Sequence, residues 1–230
     1  MLDIEHVSKD YFGLPVLSDI NLHIGEHEIV AIVGPSGCGK STLLNIIAAI
    51  NGEYRGTITT QARKIGYVFQ EDRLLPWLNV YENVAIVRKK EDRARIREVI
   101  QKVHLDGFEK YYPAQLSGGM KQRCGIARAL YYGSELLLMD EPFKSLDPGL
   151  RCEMLENLLE ILKNEKGSVL FVTHDVDEAL SIADRIVIFS RRPGRILEEI
   201  TLPETQNLRD VLRKENLKLK HWIMGRLSME

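Results

Sequence analysis

The sequence predicts an α/β fold built on a mainly parallel sheet, with an antiparallel β edge and a helical insertion. Three observations predict it. Apolar, β-rich runs alternate with helical stretches, the order that yields parallel strands joined by crossover helices. The strongest runs are apolar at nearly every position, as suits strands buried on both faces. One of them leads through a glycine-rich loop straight into a helical run. With 230 residues, 44% of them hydrophobic, the chain has ample length for one large core.

The elements follow in order. Short alternating pieces near Leu2–Val7, Ile20–Ile24 and Gly56–Thr59 read as an antiparallel flap at one edge. Apolar runs at Ile29–Val33, Ile65–Phe69, Leu136–Met139, Val169–Val172 and Ile186–Phe189 read as the core strands. Residues from Glu71 to Tyr112 read as mostly helical, with the charged stretch Arg88–Arg95 as a solvated helix face. One domain over 1–230 results, comprising an α/β core from 1–70 and 135–203, a helical subdomain at 71–134 and a C-terminal helix at 204–230. In the tail Leu208–Leu227, Leu208, Val211, Leu212, Leu219, Trp222 and Ile223 alternate with Arg209, Arg213, Lys214, Lys218 and Lys220. Such a basic amphipathic helix either lies on a membrane surface or docks on its own domain, and docking is the commoner outcome. The stretch past Ile200 leaves room for a helix and little more, so no regulatory domain is expected there.

Composition narrows the function. A formal net charge of -2 argues against general nucleic-acid binding, which usually needs a basic surface. Cys38, Cys124 and Cys152 have neither metal-ligand spacing nor an even-numbered disulfide pattern, so a reducing cytoplasm is the simplest setting. Met1–Glu5 has no signal-peptide pattern, and no apolar run approaches the ~20 residues of a membrane span. Work at a membrane then requires a separate anchor.

The chemistry starts at Gly34, Pro35, Ser36, Gly37, Cys38, Gly39, Lys40, Ser41 and Thr42, between the apolar runs Ile29–Val33 and Leu43–Ile47. A glycine-rich loop in that setting is the build of a phosphate cradle: backbone N–H groups turn inward and the helix N-terminus adds its positive end. Lys40 supplies a point charge for the β- and γ-phosphates, and the Ser41 hydroxyl is placed for Mg²⁺. The chain therefore binds a nucleoside triphosphate. Oxidation or alkylation of Cys38, inside that loop, is expected to interfere with it.

Leu136–Glu141 is an apolar strand ending in two carboxylates. At the carboxyl end of a buried strand, where α/β proteins place ligands, Asp140 would hold Mg²⁺ through its water shell. Glu141 would face the γ-phosphate and orient or deprotonate the attacking water. Pro142 biases Glu141 toward an extended backbone. His174, after the apolar run Val169–Thr173, can hydrogen-bond a terminal phosphate oxygen. His6, His23, His27, His104 and His221 have no comparable setting. Ser117 is a natural N-cap for a helix through Lys121-Gln122-Arg123, and Gly118 and Gly119 leave backbone N–H groups open, a second anion-binding helix start.

With these motifs in order, the chain resembles the ATP-binding subunit of an ABC transporter over nearly its whole length. The resemblance implies the ABC ATPase fold, with Gln70 as the Q-loop glutamine that also serves the metal, Leu116–Met120 as the signature and Ser145-Leu146-Asp147 as the D-loop. Tyr11 falls where the family stacks an aromatic on adenine, with Phe12 as the alternative. Met120 stands where the commonest signature has Gln, and leaves the serine and glycine contacts intact. Phe69–Trp77, Ser190–Ile196 and the LSGGM signature look like importers of nitrate, aliphatic sulfonates, taurine and related small solutes.

A signature that cannot reach its own phosphate loop implies a head-to-tail dimer burying two ATP molecules, each between one subunit's loop and the other's Ser117, Gly118 and Gly119; a homodimer is expected, with Asp147 also among the nucleotide-binding residues. In such a system the ATPase sits peripherally on the cytoplasmic face of the cell membrane, beside permease subunits and an extracytoplasmic solute-binding protein. No nucleic-acid partner is expected. An exporter subunit is the closest alternative, separated by Leu74–Trp77 and by the missing fused membrane domain. Non-transport ABC ATPases usually carry a coiled-coil insertion or tandem halves, and a simple P-loop kinase lacks the signature and D-loop.

Overall fold

Nine strands, seven α-helices and a short 3-10 helix (Pro113–Gln115) form among the described residues of the computed structural model, which covers residues 1–165, 167–202 and 209–229. The strands are β1 (Leu2–Tyr11), β2 (Leu14–Ile24), β3 (Ile29–Val33), β4 (Arg55–Thr60), β5 (Ile65–Val68), β6 (Leu136–Asp140), β7 (Ser168–Thr173), β8 (Arg185–Phe189) and β9 (Ile196–Thr201). The helices are α1 (Lys40–Ile47), α2 (Val80–Ala85), α3 (Arg93–Lys102), α4 (Gly118–Tyr132), α5 (Pro148–Glu165), α6 (Val176–Ile182) and α7 (Lys214–Met229).

The main sheet has the order β5-β6-β7-β3-β8-β9, parallel throughout except for β9. Its strands are apolar at successive positions because both faces are covered. Ile29, Ala31 and Val33 of β3 point to one layer, shared with Val84, Ile96, Ile126 and Leu158 of the helices. Val30 and Ile32 point to the other, with Leu43 and Leu44 of α1 and Ile4 and Ile20 of a second sheet. That second sheet, order β2-β1-β4, is antiparallel and holds the three alternating pieces expected from the sequence. It covers one face of the core as a separate sheet, since its alternation supplies a single apolar side. The antiparallel edge of the main sheet is β9, which the sequence does not signal because Glu198 and Glu199 interrupt its alternation.

Register positions the site. Val33 pairs with Thr173 and Asp140 with Val172, so β3, β6 and β7 finish side by side. Gly34, Glu141 and His174 thus leave the sheet at one edge.

Between Glu71 and Tyr112 only α2 and α3 are α-helical, which is less helix than the sequence suggests. Asp92 N-caps α3, its side chain accepting from Arg95 N at 3.0 Å, so the charged stretch before Arg93 is loop. Arg88 in that loop is not simply solvated: its guanidinium lies 4.7 Å over the Tyr131 ring. The tail helix docks on the core. Ile223 is fully buried, and Lys220 Nζ lies 2.6 Å from Asp177 Oδ2 on α6. Leu208 and the expected boundary at 203–204 lie outside the described residues. Among the described residues no helix is long and apolar enough to cross a membrane.

Candidate active site

The loop from Gly34 to Gly39 turns directly into α1. Gly39 sits at the helix start with φ +109, and a Cβ there would come within 2.7 Å of Leu17 and 2.9 Å of the Val16 carbonyl oxygen. Only glycine meets both demands. Lys40, 5% exposed, donates from Nζ to the carbonyl oxygens of Gly34 at 2.7 Å and Pro35 at 3.0 Å. Its ammonium is therefore folded into the cradle and not free in solvent.

A cavity of about 420 Å³ opens over this loop. Ser36, Gly37, Gly39, Lys40, Ser41 and Thr42 line it, and so do Tyr11, Gln70 and Glu141. The fold thus gathers residues far apart in the chain, Tyr11 and Glu141 being separated by 130 positions. Tyr11 is on the wall and Phe12 is not; the Tyr11 hydroxyl accepts from Asn51 Nδ2 at 2.8 Å. Gln70 follows Phe69, which stacks on Tyr67 at 4.0 Å and lies under the Arg73 guanidinium at 4.0 Å, fixing the exit of β5. Gly34, Pro35 and Cys38 form the back of the loop and do not line the cavity. Cys38 is 1% exposed and burial pushes its thiol up, so the oxidation or alkylation expected to interfere with binding meets a shielded, unreactive group. Cys152 is the exposed cysteine.

The acidic pair behaves as two different groups. Asp140 is buried, which pushes its carboxyl up; the charge of Glu141 adds to this, while a hydrogen bond from Ser41 and the charge of Lys40 oppose it. Its Oδ1 is buried without a hydrogen-bond partner. Burial also pushes Glu141 up, but the Lys144 hydrogen bond and the charges of His174 and Lys144 outweigh it, and the carboxyl rests below the ordinary glutamate value. Lys144 Nζ lies 2.8 Å from Glu141 Oε2, and His174 Nδ1 lies 3.4 Å from Oε1. Glu141 has φ +45, a left-handed conformation where the following proline suggests an extended one. Its N–H donates to Val172 O at 2.9 Å and its carbonyl accepts from Gln122 Nε2 at 3.0 Å. These long-range bonds hold the backbone against its local preference.

His174 sits on a turn braced from behind. Asp175 caps α6, accepting from Asp177 N at 2.8 Å, and Arg151 of α5 donates to Asp175 Oδ2 at 2.6 Å and to Leu146 O at 3.2 Å. One arginine therefore ties the His174 turn to the segment ending in Asp147. Asp147 itself accepts from Leu150 N at 3.0 Å, starting α5. Ser117 caps α4, accepting from Met120 N at 3.2 Å. Ser117, Gly118, Gly119 and Asp147 do not line the cavity over the phosphate loop.

Three polar residues belong to the site that sequence reasoning missed, besides Val16 on the cavity wall. Lys144 and Arg192 line the cavity, and Gln122, 6% exposed, joins the signature helix to the Glu141 turn, also accepting from Ser145 N at 3.2 Å. Lys144 had a detectable signal, three residues after Glu141 in one loop. Gln122 had none, because its partners Glu141 and Ser145 lie about twenty residues on, and Arg192 had none as a site residue, because only the packing of its turn on the phosphate loop brings it to the cavity.

Known proteins resemble the chain closely. A family profile described as ABC transporter matches residues 17–144. The aliphatic sulfonates import ATP-binding protein SsuB of Bacillus cereus is 46% identical over 202 residues, 84% of this chain and 80% of that protein. The taurine import ATP-binding protein TauB of Escherichia coli O157:H7 is 44% identical over 215 residues, 88% of this chain and 84% of that protein. Among solved structures, a dimeric post-hydrolysis state of the ATP-binding cassette MJ0796, bound to ADP and Pi, has a TM-score of 0.81 at 31% identity. It covers 89% of this chain and 100% of that one.

Proposed function

This chain belongs to the ABC transporter family, and from that premise we propose that its cavity is half of a head-to-tail ATP sandwich that energises solute uptake through a separate permease. The chain is the ATP-binding, ATP-hydrolysing subunit of an importer, working as an ATPase dimer with membrane permease subunits. One observation carries the sandwich: Tyr11, the phosphate loop, Gln70 and Glu141 share a cavity that Ser117, Gly118 and Gly119 do not reach. A second subunit supplies its own signature residues and Asp147 to close that cavity.

Within it, the backbone N–H groups of the phosphate loop and Lys40 bind the β- and γ-phosphates, and Tyr11 stacks on adenine. The donor set suits Mg²⁺, since an unpartnered, buried Asp140 oxygen beside the Ser41 hydroxyl needs a hard cation more than it needs an apolar neighbour. Ser41, Asp140 and Gln70 would hold the ion, which when bound neutralises phosphate charge. Glu141, already ionised beside Lys144, accepts the proton of the attacking water. The water oxygen bonds to the γ-phosphorus as the bond to the bridging oxygen breaks, and ADP leaves with that oxygen. His174 donates to a γ-phosphate oxygen and holds Glu141 in line. Losing the γ-phosphate removes the charge-assisted contacts that cemented the dimer.

The permease docks on the region after Gln70, around Leu75, Pro76 and Trp77. Trp77 is 68% exposed, yet its loop is rigid: fully buried Asn83 accepts from Leu75 N and donates to the carbonyl oxygens of Leu75, Leu78 and Asn79. An exposed aromatic on a stiff loop is the build of an interface anchor. The solute is small, of the nitrate, sulfonate and taurine class, delivered by an extracytoplasmic binding protein. The ATPase then lies peripherally on the cytoplasmic face of the membrane. The test is to tag the Glu141→Gln form, recover it with ATP from gently solubilised native membranes, and identify attached proteins by mass spectrometry. A multi-span permease is expected; soluble ribosomal or DNA-processing partners alone would overturn the transport reading.

A further inference from the structure

We propose that Arg192 is a phosphate-binding residue of the nucleotide site, a guanidinium delivered to the triphosphate by the turn between β8 and β9. The inference rests on the reading that the cavity takes ATP. It stands on three observations. Arg192 lines the cavity together with Ser36, Gly37, Lys40 and Lys144. It is exposed and, among the described residues, makes no ion pair or side-chain hydrogen bond. The other two cations there are engaged, Lys40 with the Gly34 and Pro35 carbonyls and Lys144 with Glu141.

The scaffold under it adds to these. The turn is clamped internally: Ser190 N donates to Arg195 O at 2.9 Å, and Ser190 Oγ accepts from Arg195 N at 3.0 Å and shares its one proton between the Arg191 and Pro193 carbonyls, 2.8 and 3.1 Å away. It is also fastened to β2, with Gly194 N donating to Val16 O at 2.8 Å and Ser18 N to Gly194 O at 3.0 Å. Two residues from Arg192, Gly194 presses so closely on the back of the phosphate loop that a Cβ there would come within 2.3 Å of Cys38 O. A turn held this firmly against the loop's backbone does not need its arginine for folding. What it provides is a free, planar donor beside the phosphate cradle, at low ordering cost. The triphosphate is the part of the substrate that such a donor meets best, through charge-assisted hydrogen bonds.

The experiment compares Arg192→Ala and Arg192→Lys with the unaltered protein in steady-state hydrolysis of Mg-ATP, with inorganic tripolyphosphate as a competing ligand. Arg192→Ala is expected to raise KM for ATP about fivefold to tenfold, the loss of one partly solvated charge-assisted contact. kcat should stay within about twofold, because nothing at Glu141 changes. Inhibition by tripolyphosphate should weaken by the same factor, and Arg192→Lys should recover most of both losses. An unchanged KM overturns the proposal. So does a raised KM with unchanged tripolyphosphate inhibition, which moves the contact to the base or sugar. Failure of the unaltered protein to bind ATP at all would instead refute the nucleotide reading on which this one depends.

Discussion

Replacing Gln122 by leucine cuts the tie between the helix that carries the signature and the turn that carries Glu141. The volume is nearly conserved, so little cavity is made. Two hydrogen bonds go: Nε2 to Glu141 O at 3.0 Å and Ser145 N to Oε1 at 3.2 Å. The Glu141 carbonyl keeps a bond from Lys144 N at 3.3 Å, and solvent reaches exposed Ser145, so neither backbone group is wholly orphaned. At about 1 kcal/mol net per bond, the loss is about 2 kcal/mol. Activity should suffer more specifically. Glu141 stands at φ +45, against its local preference, and one of the bonds holding it there is gone. kcat is expected to drop about tenfold or more, equivalent to about 1.4 kcal/mol of lost transition-state stabilisation, with KM for ATP nearly constant because Gln122 does not line the cavity. Urea unfolding and steady-state ATPase measurements read the two effects separately. A destabilised variant with full kcat would refute the positioning argument while leaving the hydrogen bonds standing.

Two further outcomes are expected. Glu141→Gln keeps the side chain's size but cannot take a proton, so it should bind ATP, lose nearly all hydrolysis and accumulate as a dimer by light scattering; a fully active variant removes Glu141 from its role. Glu178, buried beside Thr173 and Arg151, is pushed by burial up to about 6 from 4.5. Because the folded chain then holds that proton more tightly than the unfolded one, its contribution to stability is present below about pH 4.5 and is lost as pH rises through about 6, about 2 kcal/mol in all. Glu178→Gln should remove that slope from the difference between unfolding free energies at pH 4.5 and 6.5; parallel pH curves for the two proteins would contradict it.

Much of this molecule is legible in its residues because the informative features are local. A glycine-rich loop after an apolar run, a strand ending in Asp140 and Glu141, and Ser117 before a helix each write their geometry within a few neighbouring positions. Errors arose where neighbours mislead. Pro142 argues for an extended Glu141, yet bonds to Val172 and Gln122 hold it left-handed. Charges near Arg88 suggest a helix face, yet the Asp92 cap starts the helix at Arg93.

By itself, then, the sequence determined every strand but β9, the phosphate loop and the family's motifs in order, since each rests on backbone geometry that contiguous residues impose. Only the tertiary structure decided that Arg192 and Lys144 face the same cavity as Lys40, that β9 closes the sheet, and that Gln122 braces the acidic turn. Those relations depend on parallel strands ending side by side and on a turn pressed against the loop from across the sheet. Pairing of that kind joins residues far apart in the chain, and no short window of sequence records it.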